Sequence, residues 1–222
     1  MKKTVINLFT IFVVVVSSTF IRSYSNGTVY AFSNGKDIHK NFKVEKGKKL
    51  LMNLKTGGSI SITGWNKDEV EVDASINGRD WEECQVNFAQ TSSGIEITSK
   101  YKHNYDSHSG NARFEIKVPN KFNLKLETMG GKIEVQNVDG DLNGHTMGGK
   151  INLSNLKGQI EFSTMGGSVS LTDSNVNGKL STMGGNVLIE NVKGDVSGST
   201  MGGKVISRNV TQVSNQSSEN NE

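Results

Sequence analysis

The tetrapeptide Thr-Met-Gly-Gly occurs five times in this 222-residue chain, and each occurrence starts eighteen residues after the previous one. The five occurrences begin at Thr128, Thr146, Thr164, Thr182 and Thr200. A constant motif at a constant interval is typical of a repeat architecture, in which a unit buries its apolar side by stacking on its neighbours. The unit is too short and too rich in glycine to hold a helix together with a strand, so it indicates stacked strands and tight turns.

Counted from the Thr, the sixth and eighth residues of the units are mostly apolar and enclose a mostly polar residue, as in Ile133-Glu134-Val135. This alternation is typical of a strand with one buried face. The sequence therefore predicts an all-β fold, a single-stranded parallel β-helix or β-solenoid with eighteen-residue coils. Two columns of side chains are predicted to fill its narrow core: Met129, Met147, Met165, Met183, Met201, Ile133, Ile151, Val169, Val187 and Val205. We accordingly expect Met165→Asp to unfold the chain, because it would bury an unpaired charge.

The tenth position of the units carries a short polar residue at a predicted turn. It is Asp173 in the least regular unit and asparagine in the others: Asn137, Asn155, Asn191 and Asn209. Stacked amides can hydrogen-bond from one coil to the next, and asparagine tolerates turn conformations. The column is therefore interpreted as a structural ladder.

The chain divides into five predicted segments. Residues 1–31 have a basic start followed by an apolar run and are interpreted as a signal peptide, with Ala31 as the last residue removed. One alternative is earlier cleavage, near Ser23 or Ser25. The other is that the segment is not cleaved and serves as a membrane anchor. Residues 32–55 form a lead-in, and 56–127 an irregular β portion that begins the solenoid or forms a separate domain. Residues 128–210 hold the five repeats, and 211–222 a polar, disordered tail.

Charge and cysteine usage restrict the possible partners. Removing residues 1–31 leaves 22 basic residues against 22 acidic ones, so no basic face is expected and no nucleic-acid partner is predicted. With the signal removed, no membrane span is predicted either. Cys84 is the only cysteine, so the fold cannot contain an internal disulfide, and its place in an alternating stretch predicts burial.

The stretch "GGSISITGWNKDEVEVDASI", followed by "FEIKVPNKFNLKLETMGGKIEVQNVDGDLNGHTMGGKINL", resembles the DUF4097 family of exported bacterial β-strand-repeat proteins, which are often labelled adhesins. The resemblance covers about residues 50–207. It implies a right-handed, β-helix-like solenoid at the cell envelope. It implies no molecular activity and provides no catalytic residues.

No enzymatic or metal chemistry is predicted. Glycoside hydrolysis needs paired carboxylates, and no acid pair recurs on one face of the repeat strands. The units lack the second Gly and the Asp of calcium-binding β-rolls. His103 and His108 share a loop with Asp106, but their spacing matches no tight zinc pattern. No catalytic, cofactor or metal-binding residue is assigned, and no cofactor is expected.

The function that remains is binding or scaffolding by an exported, adhesin-like protein in the periplasm, on the outer surface or in the medium. Its partner is not specified by the sequence; an envelope protein, a glycan and a host surface all fit a long ladder with variable outward residues. The alternatives are a periplasmic envelope-stress scaffold component and, less favoured, a β-helix carbohydrate-active enzyme.

Overall fold

The structure is a computed structural model that describes residues 29–31, 37–78, 80–103 and 110–211. The predicted signal peptide lies outside the described residues except for 29–31. The predicted polar tail also lies outside them from residue 212 onward. Within the described part of the chain, no helix is long and apolar enough to cross a membrane.

The described chain is all-β, with seventeen strands and one short 3₁₀ turn at Trp81–Glu83. In chain order, the strands are β1 (Val29–Ala31), β2 (Ile38–Lys43), β3 (Lys49–Leu54), β4 (Ser59–Trp65), β5 (Glu69–Gly78), β6 (Cys84–Thr91), β7 (Gly94–Tyr101), β8 (Gly110–Pro119), β9 (Asn123–Thr128), β10 (Ile133–Gln136), β11 (Asp139–Thr146), β12 (Ile151–Ser154), β13 (Lys157–Thr164), β14 (Val169–Thr182), β15 (Val187–Lys193), β16 (Val196–Thr200) and β17 (Val205–Thr211).

The strands form two ladders that share the long strand β14, so that all belong to one continuous mixed sheet. Ladder A contains β2, β5, β8, β4, β10, β12, the first part of β14, β15 and β17, in spatial order. Ladder B contains β1, β6, β7, β3, β9, β11, β13, the last part of β14 and β16. Each repeat unit thus adds one rung to each ladder.

The pairing between repeat units is parallel and follows the sequence period. Each residue lies opposite the residue eighteen positions later, for example Ile133 opposite Ile151 in ladder A and Thr146 opposite Thr164 in ladder B. The stretch "TGGSISITGW" continues ladder A, since Ile60 of β4 lies opposite Ile133. Its likeness to a repeat unit therefore reflects its position beside the first one.

The two ladders face each other across the core. A Cβ placed on Gly198 of ladder B would lie 3.0 Å from the side chain of Val187 in ladder A. Of the predicted Ile/Val column, four residues are completely buried: Ile133, Ile151, Val169 and Val187. The fifth, Val205, is exposed, contrary to its predicted place in the core, because β17 is the last described rung of ladder A and no further strand covers it.

Residues 38–119 do not follow the parallel pattern throughout. β2 pairs with β5, β5 with β8, and β6 with β7, all antiparallel, whereas β3 and β4 pair in parallel with their neighbours. β6 and β7 are consecutive strands joined by a short turn, whereas β2 pairs with β5 and β5 pairs with β8 across two intervening strands. The expectation of a parallel coil throughout is therefore wrong for this portion, and the sheet as a whole is mixed.

Strand β1 bears on the predicted cleavage position of the signal peptide. Val29–Ala31 pairs antiparallel with residues 86–88 of β6, at the edge of ladder B. Removal of residues 1–31 would delete this rung. We therefore expect the mature chain to begin upstream of Val29, close to Ser23 or Ser25. Intact-mass analysis of the exported chain tests this, and a mature N-terminus at Phe32 would contradict it.

Candidate functional site

The Thr-Met-Gly-Gly motifs form one corner of the fold, where the chain leaves ladder B and enters ladder A. Each Thr ends a strand of ladder B, and a strand of ladder A begins five residues later. The corners stack because their backbones are hydrogen-bonded between units: the N–H of Met147 donates to the carbonyl of Thr128, and the N–H of Met165 to that of Thr146. Successive motifs therefore lie about 4.8 Å apart, the spacing of hydrogen-bonded strands.

The Thr side chain of each motif links neighbouring turns by hydrogen bonds. Thr128, Thr146, Thr164 and Thr182 are buried. The hydroxyl of Thr164 donates to the carbonyl of Gly149 in the preceding turn at 2.8 Å, and it also lies 3.4 Å from the N–H of Gly167. The same hydroxyl-to-glycine bond occurs at Thr146, Thr182 and Thr200. The buried hydroxyl is therefore satisfied by backbone groups of the glycines in the turn.

The second Gly of each motif is required by the close approach of two backbones. A Cβ on Gly149 would lie 1.7 Å from the carbonyl oxygen of Gly131, and a Cβ on Gly167 would lie 2.1 Å from that of Gly149. The same collision recurs at Gly185 and Gly203. No side chain fits at this position without separating the coils.

The Met of each motif is not in the core. The exposed fractions are 55% for Met129, 40% for Met147, 43% for Met165, 48% for Met183 and 81% for Met201. The prediction of a buried methionine column is therefore wrong. The preceding Thr points inward, so alternation turns the following side chain outward. We call these five side chains the methionine ridge.

The first Gly of each motif has no comparable steric reason. A Cβ on Gly130 or Gly148 would meet nothing within 4 Å. On Gly166 its nearest neighbour would be a carbonyl oxygen at 3.5 Å, and on Gly184 and Gly202 one at 3.3 Å, well beyond the distances found for the second Gly. Two letters of the motif, Thr and the second Gly, are thus explained by packing. The other two, Met and the first Gly, are not explained by core packing, and the methionines form a row of partly exposed thioethers.

The surroundings of the methionine ridge are polar and of mixed charge. The residues before the Thr are Glu127, His145, Ser163, Ser181 and Ser199, and those after the second Gly are Lys132, Lys150, Ser168, Asn186 and Lys204. Nδ1 of His145 lies 2.8 Å from the hydroxyl oxygen of Ser163 on the next rung. Lys132 forms an ion pair with Glu134 at 2.9 Å. The ridge is therefore an apolar line between two polar borders.

The asparagine column lies at the opposite corner. Its residues adopt a left-handed backbone, with φ between 50° and 62° at Asn137, Asn155, Asp173, Asn191 and Asn209. Asn155 Nδ2 donates to Asn137 Oδ1 at 2.7 Å, and Asn209 Nδ2 donates to Asn191 Oδ1 at 3.0 Å. The irregular Asp173 accepts from Asn191 Nδ2 at 3.0 Å. These contacts hold a turn together and leave no reactive group.

A second exposed cluster surrounds Trp65. The ammonium groups of Lys67 and Lys117 lie 4.3 and 5.3 Å from the ring centre, and Lys117 donates to Glu71 Oε1 at 2.7 Å. The hydrogen bond and charge of Glu71 raise the pKa of Lys117. The ring and the charges interact with one another, so this cluster is a weaker candidate for a binding site than the methionine ridge.

The structure suggests no reactive or metal centre among the residues it describes. They contain no group of three or more His, Cys, Asp or Glu side chains placed to hold a metal ion. His103 lies 2.8 Å from Glu83, whereas His108 is outside the described residues. Cys84 is buried at the start of β6, and burial raises the pKa of its thiol although contact with Thr56 opposes the shift.

Comparison with known proteins gives only distant likeness. No protein-family model and no curated protein matches the chain. Among solved structures, a candidate cell adhesion protein from Clostridium sporogenes is similar at 13% identity and a TM-score of 0.47, over 78% of this chain and 99% of that one. A candidate adhesin from Bacteroides fragilis is similar at 16% identity and a TM-score of 0.27, over 82% and 96%. These values are too low to assign a family or a function.

Proposed function

We propose that this chain is an exported, non-enzymatic, adhesin-like binding and scaffold protein of the cell envelope. In this proposal residues 128–210 form a right-handed parallel β-solenoid, and the strands β4 and β9, which pair in parallel with β10 and β11, cover its first coil. The parallel register of eighteen residues in both ladders supports the solenoid. The observation that carries the binding role is the exposure of five methionines in one line on a rigid ladder.

The methionine ridge leaves apolar surface exposed that a binding partner can cover. Fully burying a wholly exposed large apolar side chain stabilises a protein by about 1.5–3 kcal/mol. Four of the ridge methionines are 40–55% exposed, so a partner that covers them gains part of that stabilisation at each position. A line of apolar side chains on one corner is also the kind of surface that marks interaction sites. The interior Met52 of β3, which is fully buried, shows that the fold can bury methionine where packing requires it.

The partner that fits the ridge is a protein surface rich in apolar and aromatic side chains. Methionine is flexible and polarizable, it adapts to irregular apolar surfaces, and its sulfur makes favourable contacts with aromatic rings. The corner is convex, whereas small-molecule sites are concave with convergent polar groups. A macromolecular partner at the cell envelope or on a host surface therefore fits better than a small ligand.

The placement of the surface acids supports the non-enzymatic part of the proposal. Several carboxylates of the ladders are paired with cations on the same face, as in Lys117–Glu71 at 2.7 Å and Arg208–Glu190 at 3.5 Å. A glycosidase needs one carboxylic acid with a raised pKa opposite a second, ionised carboxylate. In each of these two ion pairs the carboxylate faces a cation.

The test combines location with binding. Cells carrying the chain would be treated with protease while intact, and we expect the chain to be digested. Adhesion of the same cells to immobilised fibronectin, collagen and mucin would then be compared for the parent and for a variant with all five ridge methionines changed to Gln. We expect the variant to fold normally and to lose adhesion, because Gln keeps the length of the side chain but removes its apolar character.

A variant with the five methionines changed to Leu serves as the matched control, and it should retain most of the adhesion because Leu preserves the apolar line. Protection of the chain until the outer envelope is opened would contradict the surface role and favour a periplasmic scaffold. Equal adhesion of the Gln variant and the parent would show that the ridge is not the binding surface.

A further inference from the structure

The C-terminal end of the two ladders is an open edge. In the part of the chain that the structure describes, β16 pairs only with β14, and β17 pairs only with β15. Both ladders therefore end in a strand whose outer side has no strand beside it. We call β16 and β17 together the terminal coil.

The side chains of the terminal coil are exposed where their counterparts are buried. Val187 is fully buried, whereas Val205, eighteen residues later, is 44% exposed. Val192 is likewise buried, and its counterpart Val210 is only partly so. The end of the core is thus a small apolar surface bordered by strand edges.

Among the described residues, no strand lies beyond the backbone of the terminal coil. In ladder A, the N–H at the start of each strand donates to the carbonyl seventeen residues later, as from Ile151 to Ser168 and from Val187 to Lys204. For Val205 the corresponding residue is number 222, which lies outside the described residues. Unpaired edge groups of this kind are a template on which another strand can pair.

The edge strands at the two ends of the fold differ in the charged residues that discourage pairing with another strand. At the other end of ladder A, the edge strand β2 carries His39, Lys40 and Lys43, and charged edge residues discourage pairing. β16 has no charged residue, and the one charge on β17, Arg208, is 3.5 Å from Glu190 on the neighbouring rung. The terminal coil thus lacks the proline and the free charges that would block an incoming strand.

We propose that the terminal coil pairs with the terminal coil of a second copy of this chain, related by a two-fold axis. The segment after it, residues 212–222, has Val213 as its one apolar residue, so its composition offers little to cover Val205. A second copy offers the same apolar end face and the same unpaired backbone groups. Pairing with β2 of another copy, which would build an open filament, is disfavoured by the lysines on that strand.

The two-fold arrangement is compatible with the local sequence. Two copies of a strand related by a two-fold axis perpendicular to the strand run antiparallel, and the contacts are then the same on both chains. If β16 pairs with its copy about Gly198, Ser197 lies opposite Ser199 and Val196 opposite Thr200. This register places hydroxyls together on the outer face and brings no like charges into contact.

The test is the mass of the full-length mature chain in solution, measured by light scattering over a range of concentrations. We expect a dimer that dissociates on dilution. Val205→Lys should raise its dissociation constant by at least about 100-fold, because the interface would have to bury an unpaired charge. Val205 is already exposed in the single chain, so the variant should keep the melting temperature of its monomer. Asn143→Lys, which adds the same charge on the exposed face of an interior rung, should leave the dimer unchanged.

Amide hydrogen exchange gives a second readout that needs no variant. On concentration of the chain, the amides of β16 and β17 should gain protection while those of interior strands stay the same. A chain that remains monomeric at high concentration, one that assembles beyond two copies, or a dimer indifferent to Val205→Lys would each overturn the proposal.

Discussion

Ile151→Asp is expected to leave the chain unfolded, while Met165→Asp is expected to leave it folded with nearly unchanged stability. Ile151 is fully buried in β12, between the equivalent residues of the rungs on either side. An unpaired carboxylate there would lose its hydration, and the apolar contacts of Ile would be lost as well, at a combined cost of several kcal/mol. That is comparable with the whole stability of a typical domain, about 5–15 kcal/mol.

Met165 gives the opposite result because its side chain is 43% exposed and points away from the core. A carboxylate there remains hydrated, and exposed substitutions usually change stability by no more than about 0.5 kcal/mol. Far-UV circular dichroism during thermal unfolding of both variants and the parent checks the pair. If Met165→Asp unfolds and Ile151→Asp does not, the strands present the other face to the core and the methionine ridge does not exist.

The repeat period, the all-β class and the buried column of Ile and Val can be predicted from the sequence, because each depends on a local rule. Five motifs in phase fix the rung length, and the alternation within Ile133-Glu134-Val135 fixes which face is buried. The asparagine column is accessible for a similar reason, since asparagine is among the few residues that tolerate the positive φ found at Asn137. No long-range information enters these inferences.

The sequence predicts the wrong side for the methionines when residue type is weighted above position. An apolar Met beside a polar Thr suggests that Met is inside. In the structure the hydroxyl of Thr164 finds a carbonyl acceptor at 2.8 Å within the core, so burying Thr incurs no penalty for an unpaired polar group. Strand alternation up to Thr164 contains the correct signal, since Ile160 and Phe162 point inward and place Thr164 inward too.

The antiparallel pairing within residues 38–119 cannot be predicted from the sequence in the same way. Strands β5 to β8 alternate as clearly as the repeats do, but alternation indicates which face is buried and not which strand lies beside which. The pairing of β5 with both β2 and β8 depends on contacts between residues far apart in the chain, such as Val72 with Ile116. The exposure of Val205 is not predicted for a related reason. A column of like residues does not show at which strand the stacking ends.

The two glycines of the motif provide a test of the corner itself, in which substitutions at adjacent residues should shift stability in opposite directions. Gly149→Ala is expected to destabilise the chain by about 2–5 kcal/mol, since overpacking a well-packed site costs about 1–3 kcal/mol and here the collision is with backbone rather than with a flexible side chain. The added Cβ would lie 1.7 Å from the carbonyl oxygen of Gly131 and 2.7 Å from the backbone nitrogen of Lys132. Relief requires the two coils to separate, which weakens the hydrogen bond from the hydroxyl of Thr146 to Gly131, now 3.0 Å long.

Gly148→Ala is the matched control, because it adds the same methyl group one residue earlier. Its Cβ would meet nothing within 4 Å, and Gly148 is not among the described glycines with positive φ. Replacing Gly by Ala at a compatible position reduces the freedom of the unfolded chain and stabilises by about 0.4–1 kcal/mol. Urea unfolding of both variants measures the free-energy differences. Equal effects of the two substitutions would mean that the stacked turns are not in close backbone contact, and the steric reason for the second Gly would then fail.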